Sequence, residues 1–114
     1  MNLDSIYQKL QIQDMNQMQK STFTATENET DVTLLSPTGS GKTLAFLFPV
    51  LRNLQTTEAG VQTLILVPAR ELALQIEQVF KSMGTDFKVS VCYGGHDKKI
   101  EINNFIQPAA VLIG

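Results

Sequence analysis

Only one cysteine, Cys92, stands among the 114 residues, so no disulfide can form within the chain and a disulfide-stapled scaffold is excluded. Long apolar runs are lacking as well. The longest, Leu44 to Leu51, has eight residues and contains Pro49, against the ~20 needed to cross a bilayer as a helix. There is no excess of positive charge: nine Lys and Arg against eleven Asp and Glu give a net charge of −2 and a pI near 5.2. A protein that holds nucleic acid by charge alone is thereby excluded, and any such contact must rest on a few placed groups. Met1-Asn2-Leu3-Asp4 carries no basic stretch leading into an apolar core, so no secretory leader is read there and the cytoplasm is the expected compartment.

What is present is ordinary for a globular chain. Hydrophobic residues make up 43% and charged residues 18%, and the seven glycines follow no period. Disorder and collagen-like repetition fit this composition badly. A chain of this length forms one compact domain that buries roughly two thirds of its unfolded surface.

Leu3, Ile6, Tyr7 and Leu10 recur at the i, i+3, i+4, i+7 spacing of an amphipathic helix. Five glutamines follow, Gln8, Gln11, Gln13, Gln17 and Gln19, a composition that suits a solvated surface. Residues 1–30 form a helical extension that leads into the remainder, 31–114. From there short β-rich runs alternate with helical stretches. Strands are expected at 32–35, 63–67, 88–93 and 109–113, and helices at 43–54, 70–83 and 97–106. The middle helix presents Leu72, Ile76, Val79 and Phe80 on one face and ends at Gly84. Strands that are apolar throughout, separated by helices, indicate a parallel sheet covered on both faces, so the fold class is α/β.

The sharpest motif is Ser36-Pro37-Thr38-Gly39-Ser40-Gly41-Lys42-Thr43, set between an expected strand and an expected helix. It fits the phosphate-loop pattern G-x-x-x-x-G-K-[ST], with Ser36 in the first glycine's place. Gly39 and Gly41 let bare backbone approach a polyphosphate, and the following helix offers its unpaired N–H groups and positive dipole end. Lys42 supplies a mobile cation for the β and γ phosphates, and the Thr43 hydroxyl suits a Mg²⁺ ion held with ATP. By chance Gly-x-Gly-Lys-[Ser/Thr] arises in roughly a few of every thousand chains of this length. The loop therefore predicts nucleotide binding through the phosphates.

With the next motifs the chain resembles the amino-terminal RecA-like domain of DEAD-box RNA helicases. Residues 36–43 resemble that family's motif I. Pro68-Ala69-Arg70-Glu71-Leu72-Ala73 is similar to its Pro-Thr-Arg-Glu-Leu-Ala motif, with Ala69 in place of threonine, and Tyr93-Gly94-Gly95 is similar to its glycine doublet. Gln19 precedes Lys42 by 23 residues, the family's spacing for a glutamine that reads adenine, although Met15 and Gln17 stand where the family has prolines. The resemblance implies a RecA-like phosphate-loop fold, ATP and Mg²⁺ as cofactors, and a single-stranded RNA groove lined by Pro68, Ala69, Arg70, Gly94 and Gly95. It implies Lys42 and Thr43 as the residues at the reacting phosphates.

The family's Thr-Pro-Gly-Arg motif would follow Gly114, and its Asp-Glu-Ala-Asp and Ser-Ala-Thr motifs and second RecA-like domain would lie beyond. The resemblance thus implies a sheet incomplete at its carboxy-terminal end, with an exposed or swapped strand or an intermolecular contact covering the gap. It also implies that these residues alone bind ATP weakly and hydrolyse it negligibly. A non-catalytic nucleotide- or RNA-binding module and a DNA-directed helicase are the competing readings. Among the remaining residues, Cys92 reads as a small buried hydrophobe, Glu71 as a first-turn acid favoured by the helix dipole, and His96, Lys98 and Lys99 as a solvated helix start. Pro49 is expected to bend its helix or turn it late.

Overall fold

The computed structural model describes residues 1–92 and 108–114. Met1–Asn53 and Leu54–Gly114 form two compact units. The first contains three helices, α1 (Leu3–Leu10), α2 (Gln17–Asn28) and α3 (Lys42–Asn53). In the second a parallel sheet is built from β1 (Thr63–Ile65), β2 (Val89–Val91) and β3 (Val111–Ile113), with α4 (Arg70–Ser82) between β1 and β2 in the chain.

Helix α1 falls where the apolar spacing puts it. The Asn2 side chain accepts from the Ser5 N–H at its start, and Gln11 ends it in the left-handed conformation, φ 60°. Its Tyr7 ring meets Phe48 of α3 edge to face, with centroids 6.0 Å apart and planes at 83°. Helix α2 lies within the expected helical extension, but its bounds were not legible, because Gln17–Asn28 holds three Thr and a Ser, residues that compete for backbone hydrogen bonds. Here Thr22 and Thr26 turn their hydroxyls onto the carbonyls of Met18 and Thr22, at 2.9 and 2.8 Å, so the competition is spent inside the helix. A capping box starts it: the Asn16 side chain accepts from the Gln19 N–H, and Gln19 accepts from the Asn16 N–H, both at 2.9 Å. Helix α3 buries Ala45, Leu47, Phe48 and Leu51 and runs on past Pro49 to Asn53, so the expected turn at the proline does not end it.

The strand expected at 32–35 is absent. These residues carry no strand pairing, and Leu35 is 89% exposed. A four-residue apolar run becomes a strand only where a neighbour takes up its N–H and C=O groups, and among the described residues none does. An exposed would-be strand is one form of the incomplete sheet anticipated above.

In the second unit β3 lies between β1 and β2, with Val111 in register with both Thr63 and Val89. Pairing continues past the strand ends: Gly114 N–H donates to the Ile65 carbonyl at 2.9 Å, and Cys92 N–H to that of Ile113 at 2.8 Å. Val89, Ser90 and Val91 are buried, as are Val111 and Ile113. The expectation that every strand is covered on both faces fails for β1, whose Leu64 is 59% exposed. Strand β1 is an edge strand, and Leu66 just beyond it is exposed too.

Helix α4 packs against β2 through Ala73, Ile76 and Phe80, with Met83 closing the same stripe, and Gly84 follows in the left-handed conformation, φ 68°. Of the four expected stripe residues Ile76 and Phe80 are buried, and Ala73 and Met83 complete the inward face in place of Leu72 and Val79. Small Ala73 fits against the sheet, whereas Leu72 points outward. The helix expected at 97–106 and the residues Tyr93, Gly94, Gly95, His96, Lys98 and Lys99 lie outside the described residues. No helix among the described residues is long and apolar enough to cross a membrane.

Candidate phosphate loop and strand-end recess

The loop from Ser36 to Gly41 opens directly into α3, whose first residues are Lys42 and Thr43. Gly39 and Gly41 take φ of +81° and +93°, a region that L side chains avoid, so both glycines are required by the path of the backbone. Around Gly39 there is open space, whereas a Cβ at Gly41 would lie 2.6 Å from Gln19 Nε2. The loop closes on itself through Ser40. Its N–H and hydroxyl both reach the Pro37 carbonyl, at 3.3 and 2.6 Å, and the hydroxyl is also hydrogen-bonded to that of Ser36. The serine in the first glycine's place thus finds its partner within the loop.

Helix α2 reaches the same loop. Asn16 Nδ2 donates to the Ser40 carbonyl at 3.0 Å, and Gln19 Nε2 donates to the Gly41 carbonyl at 3.1 Å. Gln19 is 5% exposed, and each end of its side-chain amide has a protein partner. The Gly41 carbonyl also accepts from the Ala45 N–H at 3.1 Å, the first turn of α3. Lys42 and Thr43 are half-buried. Two positive-φ glycines, the backbone N–H groups of a helix start, a lysine and a hydroxyl form a donor set that fits a magnesium polyphosphate. Among the described residues no cluster of His, Cys, Asp or Glu could hold a metal ion on its own.

Beside α2, Asp14 accepts from the Met15 N–H at 2.7 Å and pairs with Lys20 at 2.8 Å. The hydrogen bond from Lys20, followed by that from the Met15 N–H, holds its carboxyl below the usual carboxylate range. Burial, followed by the Asp14 charge, pushes the Tyr7 phenol up.

In the second unit the residues after β1 line an open recess of about 430 Å³ with Cys92 and Gly114. Val67, Pro68, Ala69 and Arg70 form one wall. Ala69 is the N-cap of α4 and, lacking a side-chain oxygen, makes no cap hydrogen bond to the first N–H groups of the helix. Cys92 is half-buried rather than buried, and it lines this recess. Its carbonyl lies 3.2 Å from where a Cβ on Gly114 would stand, a tight contact for any side chain there.

A DEAD/DEAH box helicase family model matches residues 16–114. The chain belongs to this helicase family. It is 34% identical to a pre-mRNA-processing ATP-dependent RNA helicase of Candida albicans, over 99% of this chain and 14% of that protein. Among solved structures it superposes on a hypothetical ATP-dependent RNA helicase from Sulfolobus tokodaii with a TM-score of 0.79 at 29% identity, covering 99% of this chain and 33% of that one. The RNA helicase Prp28 from Chaetomium thermophilum, bound to ADP, gives 0.77 at 29% identity, covering 97% and 28%. The fold is the α/β, RecA-like fold of these helicases. The chain spans 14 to 17% of the length of the curated relatives it matches.

Gln19, which the family resemblance associates with the nucleotide site, touches the loop at the Gly41 carbonyl. Reasoning on the sequence missed Asn16. The signal was available, since Asn-x-x-Gln ahead of a helix is a capping-box pattern.

Proposed function

We propose that this chain is the nucleotide-binding part of an ATP-dependent RNA helicase. The observation that carries the reading is the Ser36–Thr43 loop, which enters α3 at Lys42 with Gly39 and Gly41 in the left-handed region. In this role the loop from Ser36 to Gly41 wraps the phosphates of ATP. Lys42 neutralises the β and γ phosphates, and Thr43 ligates the Mg²⁺ that accompanies them. The metal would draw charge from the γ phosphate, and the loop would orient it.

Gln19 reads the base. Its amide keeps a second hydrogen and a second lone pair after its contacts to Gly41 and Asn16, the complement of the adenine N6 donor and N7 acceptor. Pro68, Ala69, Arg70, Gly94 and Gly95 line the RNA path, where backbone N–H groups and the Arg70 guanidinium hold phosphates without reading sequence. The uncapped start of α4 supports that assignment. Partners in this reading are single-stranded RNA, a second RecA-like domain, and a strand, from elsewhere in a longer protein or from another molecule, along the outer margin of β1. Without a water-positioning carboxylate and arginine fingers, ATP turnover by these residues alone is negligible.

The test is titration with magnesium and ADP while following the backbone amide resonances of residues 36–43. Shifts at sub-millimolar ligand, lost in Lys42→Ala, are expected. Unmoved resonances at millimolar ligand would refute the nucleotide reading.

A further inference from the structure

Two successive carbonyls of the phosphate loop, those of Ser40 and Gly41, are gripped by side-chain amides from the start of α2. In a trans peptide the C=O of one residue and the N–H of the next point in opposite directions. A Ser40 carbonyl turned toward Asn16 therefore turns the Gly41 N–H away from it, and a Gly41 carbonyl turned toward Gln19 does the same for the Lys42 N–H. These two N–H groups stand at the start of α3, where an anion is received. Glycine at position 41 makes the grip necessary, because nothing in its own side chain limits the rotation of either flanking peptide.

Gln19 is buried and already assigned to the base, but Asn16 is exposed and has no such second task. Its side chain divides in two. Oδ1 accepts from the Gln19 N–H at 2.9 Å and caps α2, while Nδ2 holds the Ser40 carbonyl. We propose that Asn16 is a positioning residue of the phosphate site: its Nδ2 fixes the direction of the Gly41 N–H and so sets affinity for polyphosphate, whatever base the ligand carries. The inference rests on reading the Ser36–Thr43 loop as a phosphate site, and goes beyond it by giving a residue outside the loop control over that site.

Asn16→Asp separates the two halves of the side chain. An aspartate caps a helix as well as asparagine does, but it sets a carboxylate oxygen against the Ser40 carbonyl and donates nothing. Affinities are measured calorimetrically for inorganic tripolyphosphate, which has no base, and for magnesium ADP. In N16D both are expected to fall by the same factor, roughly three- to tenfold, the range one net hydrogen bond supplies. Far-UV helicity should stay unchanged, and thermal stability should fall by no more than one such hydrogen bond supplies. Gln17→Glu puts the same charge on the adjacent exposed residue and should leave both affinities within about twofold, which separates the lost donor from simple repulsion.

The pH profile gives a second readout. As pH falls toward the carboxylate range, near 4, the carboxyl introduced in N16D takes up a proton and regains an O–H donor. The ratio of N16D to unaltered affinity should then climb toward one. A role confined to helix capping predicts no such recovery, since protonation weakens the cap. Should N16D not fold, Asn16→Gly, which keeps a tolerated N-cap and lacks the donor, is expected to show the same equal loss for both ligands. Equal binding by the variants and the unaltered chain would overturn the proposal, as would a loss for ADP that spares tripolyphosphate. If the unaltered chain binds neither ligand, the phosphate-site reading itself falls, and the positioning role with it.

Discussion

The Arg52 guanidinium stacks 4.3 Å from the centroid of the Phe23 ring and at the same time donates to the Phe23 carbonyl at 2.7 Å, so one side chain of α3 holds both the face and the backbone of a single residue of α2. Its second terminal nitrogen donates to the Thr26 hydroxyl at 3.1 Å. Replacing Arg52 by alanine is expected to cost about 2 kcal/mol, from one partly desolvated cation–π contact and two hydrogen bonds. Lysine, which keeps the charge but lacks the planar fork, should recover less than half of that loss. Urea unfolding of the three proteins measures both, and a lysine variant as stable as the parent would show that charge alone matters.

The two loop glycines differ in a way that substitution can read. At Gly39 an alanine meets open space and bears only the left-handed backbone cost, about 1–2 kcal/mol. At Gly41 the same change adds a Cβ placed 2.6 Å from Gln19 Nε2, so the loss should be larger, and the Gln19 contact should break. Thermal unfolding gives the stabilities, and the Gln19 side-chain amide resonances report the contact. Equal losses at the two positions would mean that the loop shifts freely to make room.

If Arg70 holds an RNA phosphate, alanine there should weaken binding to all single-stranded sequences by a similar factor. It should also reduce the slope of log affinity against log salt by about one. Fluorescence anisotropy with homopolymeric RNAs across a salt series measures both quantities. A sequence-dependent loss would assign Arg70 to base contacts instead.

Asp14 supplies the pH dependence. Its folded carboxyl titrates below the unfolded value, so its contribution is present above the ordinary carboxylate pKa and disappears as pH falls through the lowered one. Asp14→Asn should therefore flatten the acid limb of the stability profile below about pH 4. It should also bring the Tyr7 phenol down, since the Asp14 charge is one of the influences that raise it. Carboxyl and phenol NMR titrations check the two directions, and an acid limb unaltered by the substitution would remove Asp14 from the account.

The elements that the sequence disclosed are those whose partners lie close along the chain or whose pattern is long. Helix α1 shows its stripe in eight residues, and α4 shows its own together with the terminating Gly84. Strands 89–91 and 111–113 show through their valines and isoleucine, which are buried. The phosphate loop is visible because positive-φ glycines and a lysine at a helix start leave a fixed spacing. Hidden were the bounds of α2, whose threonines give no apolar stripe and turn their hydroxyls onto its own carbonyls, and the isolation of residues 32–35, which depends on neighbours rather than on local preference. The burial of Ala73 in place of Leu72 was equally hidden, because both are apolar and only packing against β2 decides between them.

The strand order β1-β3-β2 makes the sheet wait for its middle member. During translation Thr63–Ile65 and then Val89–Val91 leave the ribosome with no sheet neighbour between them, and neither can dock until Val111–Ile113 has followed. The second unit should accordingly assemble in one late step across long sequence separations, and a chain released before residue 111 should present two unpaired strands to chaperones.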